Sequence, residues 1–146
     1  MAKRVLWLDN DTNFLTPYAE ELTDNDFEIQ ISKSVAEAES LLNESDYDLL
    51  ILDVMIPTLN DDEEKIYPVK ETEYGHKTGL CFYKRMKKVL DEKKTVVIVR
   101  TVRLDQQIKD EFRQAGLPKE NFVTKFALRR TEDFLEKVNS ILGSKS

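Results

Sequence analysis

The sequence predicts an α/β fold, a doubly wound parallel sheet with helices on both faces. Three observations carry this reading. Short runs of β-branched and aliphatic residues recur along the chain, and two of them, Leu49-Leu50-Ile51-Leu52 and Val96-Val97-Ile98-Val99, are continuously apolar. Continuous apolar runs suit strands covered on both faces, which belong to parallel sheets. The segments between the runs carry apolar residues at helical spacing. The two kinds of element alternate strictly, giving βαβαβαβαβα, and such alternation implies right-handed crossovers with helices on both faces. At 146 residues the chain has the length of one domain. It is therefore read as a single domain, 1–146, with a loop insertion at about 58–78.

Taken in order, Arg4-Val5-Leu6-Trp7-Leu8 is the first strand, with Trp7 in the core. Thr16-Pro17 then reads as an N-cap with proline at the first helical position, or as proline in the first turns of a helix that starts earlier. Residues 27–31 alternate as an edge strand would. Ser34-Val35-Ala36-Glu37 matches a capping box, in which hydroxyl and carboxylate each satisfy a free backbone N–H. Val35, Ala38, Leu41 and Leu42 form the apolar stripe of that second helix. Residues 49–52 are the third strand. Leu80, Tyr83, Met86 and Leu90 mark the third helix, with Cys81 as a buried filler. Residues 96–99 are the fourth strand. Ile108, Phe112 and Ala115 mark the fourth helix, which Gly116 ends. Asn121-Phe122-Val123-Thr124 is the fifth strand. Phe134, Leu135, Val138, Ile141 and Leu142 mark the last helix. Residues 58–78 show no clear helix or strand; Tyr67 and Tyr74 are their anchors or partner contacts, and His76 is a surface residue without a metal-ligand companion.

Composition excludes several function classes. Lys plus Arg is 22 against 28 for Asp plus Glu, a net charge of −6, so direct nucleic-acid binding through a general positive field is excluded. Apolar residues at 40% are too many for a disordered chain. No apolar run approaches the ~18 residues of a membrane span, and no signal peptide precedes the first strand. The single cysteine, Cys81, rules out an internal disulfide and a Cys-based zinc site. A cytoplasmic protein without membrane insertion is the expected reading.

The chemistry lies at the strand ends. Strand one ends in Asp9-Asn10-Asp11, strand three in Asp53, strand four in Thr101 and strand five in Lys125. In a parallel sheet these gather at one edge, where ligands of doubly wound folds bind. Two carboxylates brought together raise each other's pKa, and a divalent cation relieves the repulsion. Clustered oxygens without Cys or paired His favour Mg²⁺. A carboxylate so held can attack a phosphoryl donor, with a lysine and a hydroxyl holding the phosphoryl oxygens.

At these residues, in VLWLDND, LLILDVMIP, VVIVRTVR and NFVTKF, the sequence resembles the receiver domain of two-component response regulators. The resemblance covers nearly the whole chain apart from 58–78. It implies the flavodoxin-like, five-stranded sheet of order 2-1-3-4-5, and a signalling domain rather than an enzyme. It implies Asp53 as phosphoacceptor, with Asp9, Asn10, Asp53 and the backbone carbonyl of Met55 around Mg²⁺. It implies Thr101 as switch hydroxyl, Lys125 as phosphate-binding lysine and Phe122 as the aromatic that reports the switch. Met55, Val102 and Arg103 fall on positions that tune access and hydrolysis. The implied donor is a histidine kinase or phosphotransfer protein. The implied downstream protein docks on the face of helix 4 (the Ile108 helix), strand 5 and helix 5 (the Phe134 helix). The chain reaches Ser146 with no output domain, so the signal is expected to pass by protein contact or onward phosphotransfer.

This sequence departs from the family pattern at several places. Asn10 replaces an acid that touches the metal, so Mg²⁺ is expected to bind weakly unless Asp11 compensates by a small shift. Val102 stands where a small residue leaves access to the phosphoacceptor, and Phe126 where proline is usual. The segment 58–78 is much longer than the family's connection; it is read as a solvated insertion, with the functional alternative that it lies over the Asp53 pocket. These departures motivate a second function, a phosphorylation-independent pseudo-receiver acting as a protein–protein interaction module. Asp9-Asn10-Asp11-Thr12 also resembles the opening of haloacid dehalogenase-type phosphatases, but Asn13 stands where that family places Thr or Val, and no later Gly-Asp metal motif follows.

Overall fold

A computed structural model describes residues 2–103 and 105–143; the C-terminal Ser144-Lys145-Ser146 lies outside them. Five strands, β1 (Lys3–Leu8), β2 (Phe27–Ser32), β3 (Leu49–Leu52), β4 (Val96–Thr101) and β5 (Phe122–Thr124), form one all-parallel sheet in the order β2-β1-β3-β4-β5. The helices are α1 (Thr12–Thr23), α2 (Val35–Glu44), α3 (Asp61–Ile66), α4 (Val69–Thr72), α5 (Thr78–Glu92), α6 (Gln106–Gln114) and α7 (Thr131–Gly143). The expected sheet order is observed, and the strand positions agree with the apolar runs.

Strand alternation divides the core in two. Val5, Trp7, Leu49, Ile51, Ile98 and Val123 point to α1 and α7, where Leu15, Leu22, Phe134 and Val138 meet them. Leu6, Leu8, Leu50, Leu52, Val97 and Val99 point the other way, onto α2, α5 and α6. This two-sided burial is why the central strands are continuous apolar runs. Ser34 caps α2 as the sequence suggests, its hydroxyl accepting from the Glu37 amide at 3.1 Å. Gly116 follows the end of α6 with φ +108°, a conformation that favours glycine.

Of the two readings of Pro17 the structure takes the second: helix α1 starts at Thr12, and Pro17 lies in its second turn rather than at its first position. Pro17 faces solvent there, and the missing amide hydrogen bond is the cost of a proline at an interior site. The insertion has more structure than expected. It contains α3 and α4, and α3 is opened by Asn60, whose side chain accepts from the Glu63 amide at 2.9 Å. The helical signal is hidden because both helices are short, six and four residues, and highly charged, with no room for an apolar stripe.

The insertion is fastened at both ends. Buried Glu63 accepts from the Leu59 amide at 2.7 Å and from the Ala36 amide, at the start of α2, at 3.0 Å. A carboxylate on a helix N-terminus also meets the positive end of the dipole. Tyr67 is buried against Phe82, ring centroids 6.5 Å apart, whereas Tyr74 is 81% exposed. Of the two tyrosines, then, only Tyr67 anchors. At the far end, the Gly79 amide donates to the Val54 carbonyl at 2.8 Å. A Cβ at Gly79 would lie 2.1 Å from the Asp53 carbonyl oxygen, so α5 can begin this close to β3 only with glycine there.

Two stability changes follow from these fastenings. Gly79→Ala is expected to cost about 3 kcal/mol through forced backbone displacement. Glu63→Ala is expected to cost about 2 kcal/mol, because two amides lose a charged acceptor. Urea denaturation of each variant measures both.

Candidate functional site

The register of the sheet assembles the site. Leu8 pairs with Leu52, so the next residues, Asp9 and Asp53, leave neighbouring strands side by side. Their backbones remain tied, with the Asp9 amide donating to the Ser32 carbonyl and the Asp53 amide to the Leu8 carbonyl, each at 3.0 Å. On the other side, Thr101 pairs with Thr124, and the Lys125 amide donates to the Thr101 carbonyl at 2.8 Å. Four residues distant in sequence thus end on one edge of the sheet.

The side chains of three of them meet. The Lys125 Nζ lies 3.1 Å from Asp9 Oδ2 and 3.2 Å from Asp53 Oδ2. All three groups are buried or nearly so, with side-chain exposures of 14%, 1% and 7% respectively. Asp53 Oδ1 accepts from the Val54 amide at 2.7 Å and from the Met55 amide at 3.4 Å, which fixes the rotation of the carboxylate. Asp9 Oδ1 accepts from the Asp11 amide at 2.9 Å. Asp9 Oδ2 is fully buried, and its contact with Lys125 at 3.1 Å is an ion pair without well-aligned hydrogen-bond geometry.

One ammonium against two buried carboxylates leaves negative charge poorly compensated. Burial first, and the neighbouring Asp53 charge second, push the Asp9 carboxyl up to about 6. Among the described residues, no group of three or more His, Cys, Asp or Glu is placed to hold a metal. The donor chemistry nevertheless fits a small hard dication. Two carboxylates converge on one ammonium, and one of their oxygens has no hydrogen-bond partner.

The remaining sequence candidates stand around this centre. Asn10 is exposed. Thr101 is fully buried, and its hydroxyl accepts from the Arg103 amide at 3.2 Å. Val102 is 44% exposed and Phe126 55%. Arg103 turns away from the carboxylates: its Nε donates to Asp105 at 2.6 Å and its Nη1 to the His76 carbonyl at 2.8 Å. Phe122 is half-buried and stacks edge-on against Phe112 at 5.8 Å between centroids. The insertion therefore reaches the loop after β4 through its backbone carbonyl. Lys77 makes a second link, pairing with Glu111 of α6 at 3.2 Å.

Sequence reasoning passed over Arg100. It interrupts the VVIV run just before Thr101, and it is only 3% exposed. Its signal in the sequence was a charged residue inside a strand otherwise covered on both faces.

No protein-family model matches the sequence, and no curated protein matches it. Solved structures do. A CheY-like response regulator receiver domain protein from Methanospirillum hungatei matches at TM-score 0.73 and 18% identity, over 99% of this chain and 97% of that one. A response regulator from Thermotoga maritima matches at TM-score 0.71 and 20% identity, over 98% and 99%. A Francisella response regulator receiver domain matches at 0.72 and 19%, over 99% of each. This chain has the receiver fold. Residues 58–78 hold α3 and α4, between β3 and α5. No described helix is long and apolar enough to cross a membrane.

The raised Asp9 carboxyl has a signed consequence in metal-free buffer. The folded protein binds this proton more tightly than the unfolded chain, whose carboxyl keeps its ordinary value of 3.8. Stability from this group is therefore full below about 4 and falls as pH rises toward about 6. Asp9→Asn should flatten that slope and raise stability at pH 7.5 by about 1–3 kcal/mol. Denaturation midpoints from pH 4 to 8 for both proteins measure this.

Proposed function

We propose that this protein is a phosphoacceptor receiver of a two-component signalling system, phosphorylated on Asp53. The observation that carries the reading is the single Lys125 ammonium held against Asp9 and Asp53 at the carboxyl edge of the receiver fold. An Asp53 carboxylate oxygen attacks the phosphorus of a phosphohistidine on a histidine kinase or phosphotransfer protein. The P–O bond forms, the P–N bond breaks, and the electron pair leaves with the donor imidazole, which takes up a proton. The Val54 amide holds the Asp53 carboxylate in orientation throughout. Lys125 turns from carboxylates to phosphoryl oxygens and offsets their charge. Asp9, Asp53, the Met55 carbonyl and Asn10 would hold Mg²⁺. That ion would supply positive charge to the carboxylates and the transferring phosphoryl group.

Thr101 is the switch. Its hydroxyl now accepts from the Arg103 amide. Turning to donate to a phosphoryl oxygen removes that acceptor from Arg103, whose guanidinium also holds the insertion at His76 and the cap of α6 at Asp105. One local charge thereby biases the loop after β4, the insertion and α6 together. The face of α6, β5 and α7, with Phe122 within it, passes the signal to a downstream protein. Signalling rather than turnover is the role, and a soluble cytoplasmic setting suits such a donor. A second reading, a pseudo-receiver that binds partners without phosphorylation, is favoured by the exposed Asn10 and by Val102 at the rim.

Incubation with Mg²⁺ and acetyl phosphate, followed by intact mass, separates the two. The expected result is an adduct of one phosphoryl group that is absent in Asp53→Asn. No adduct, together with no Mg²⁺ effect on Trp7 emission, supports the pseudo-receiver. Amide exchange with beryllofluoride should change at residues 75–77 as well as at the loop after β4. In Arg103→Ala the change at 75–77 should vanish while the loop still responds.

A further inference from the structure

We propose that Arg100 forms the floor of a binding site for a small monoanionic carboxylate with an apolar body. The site lies between α1 and the loops that follow β4 and β5, beside the Asp53 centre, with which it shares Lys125. The proposal does not depend on phosphoryl transfer at Asp53.

The starting observation is a charge without a counter-ion. Arg100 is 3% exposed, and its Nη1 is buried with no hydrogen-bond partner. Among the described residues, no carboxylate forms an ion pair with it. Three rings surround the guanidinium: Tyr18 at 4.3 Å, and Trp7 and Phe134 each at 5.6 Å from centroid to Cζ. Such contacts satisfy the faces of a guanidinium. They do nothing for its in-plane N–H groups, which need acceptors. A buried charge left in this state is costly unless an anion completes it.

Space for that anion is present. Arg100 lines a cavity of about 330 Å³, within the range of small-molecule sites. The other charged groups lining it are Lys125 and Asp11. Lys125 is already committed to Asp9 and Asp53, so Arg100 is the uncommitted cation of the lining, and a single cation matches a monoanion.

The rim specifies the rest of the ligand. Phe14 of α1 and Val102 and Phe126 of the two loops line the same cavity and are 71%, 44% and 55% exposed, which gathers exposed apolar surface at one place. A carboxylate on the guanidinium places an aryl or short acyl group among these three side chains. A fully hydrated anion such as inorganic phosphate makes no use of them.

Benzoate is the probe, titrated into the full chain at constant ionic strength. Binding is read from amide shifts in the ¹H–¹⁵N spectrum and from emission of Trp7, the protein's single tryptophan. The expected result is a saturable response with shifts clustered at residues 14–18 and 100–102. Benzamide, neutral with the same ring, should bind at least about tenfold more weakly, as should inorganic phosphate. Arg100→Met, which keeps the side chain's volume among the rings, should lose the same factor. Phe126→Ser, at the exposed rim, tests the apolar half without touching the core and should also weaken binding. Absence of a saturable response, or equal binding of benzamide, or equal binding of phosphate, overturns the proposal. So does undiminished binding in a folded Arg100→Met or, if that variant does not fold, in Phe126→Ser.

Discussion

The structure is organised around one ammonium held between two buried carboxylates. Lys125 reaches Asp9 and Asp53 from the far side of Thr101, spanning the ends of β1, β3 and β5. Removing three charges from water costs several kcal/mol per ion, and their mutual attraction offsets this only where geometry is good and remaining oxygens are bonded. Two oxygens here are well bonded, by the Asp11 and Val54 amides, and one is not. The cluster is therefore a poor device for stability and a suitable one for chemistry, since its uncompensated negative charge is relieved by a cation that enters.

The rest of the fold serves to hold that cluster in place. The two-sided core fixes the strands so that their carboxyl ends align, and a one-residue slip would turn every side chain to the opposite face. Gly79 allows α5 to start against the Asp53 backbone. Glu63 pins the insertion to α2, and Arg103 and Lys77 pin its other end to the loop after β4 and to α6. The insertion is thus a bracket between helices on one face of the sheet, joined to the segment that must move if Thr101 changes partners. Its contacts in this structure run to α2, α5, α6 and that loop, and no side chain of it bonds to Asp53 among the described residues.

Beside the cluster lies a second charge of a different kind. Arg100 is stacked rather than paired, and its strand position faces α1 and α7 instead of solvent. Doubly wound sheets place their binding chemistry beyond the carboxyl ends of strands. Here that edge carries two neighbouring features, an acidic hollow around Lys125 and a cationic one behind it, with apolar side chains at the rim.

Some of this was determined by sequence alone. Two continuous apolar runs suit strands buried on both faces, and their alternation with helical spacing along the chain made five parallel strands and their intervening helices legible, as was the gathering of Asp9, Asp53, Thr101 and Lys125 at one edge. Local signals also survived folding where the bonds they describe are local, as with Ser34 and Gly116. The start of α1 was left between two readings, because a proline tolerated on an exposed helical face reads the same as one at a helix start. The short charged helices of the insertion were hidden because their stability comes from distant fastenings, Glu63 on Ala36 and Tyr67 on Phe82, rather than from their own pattern. The solitary state of Arg100 was likewise invisible. Whether a buried charge has a partner depends on side chains brought together from α1, β1 and α7, and only the tertiary structure decides that.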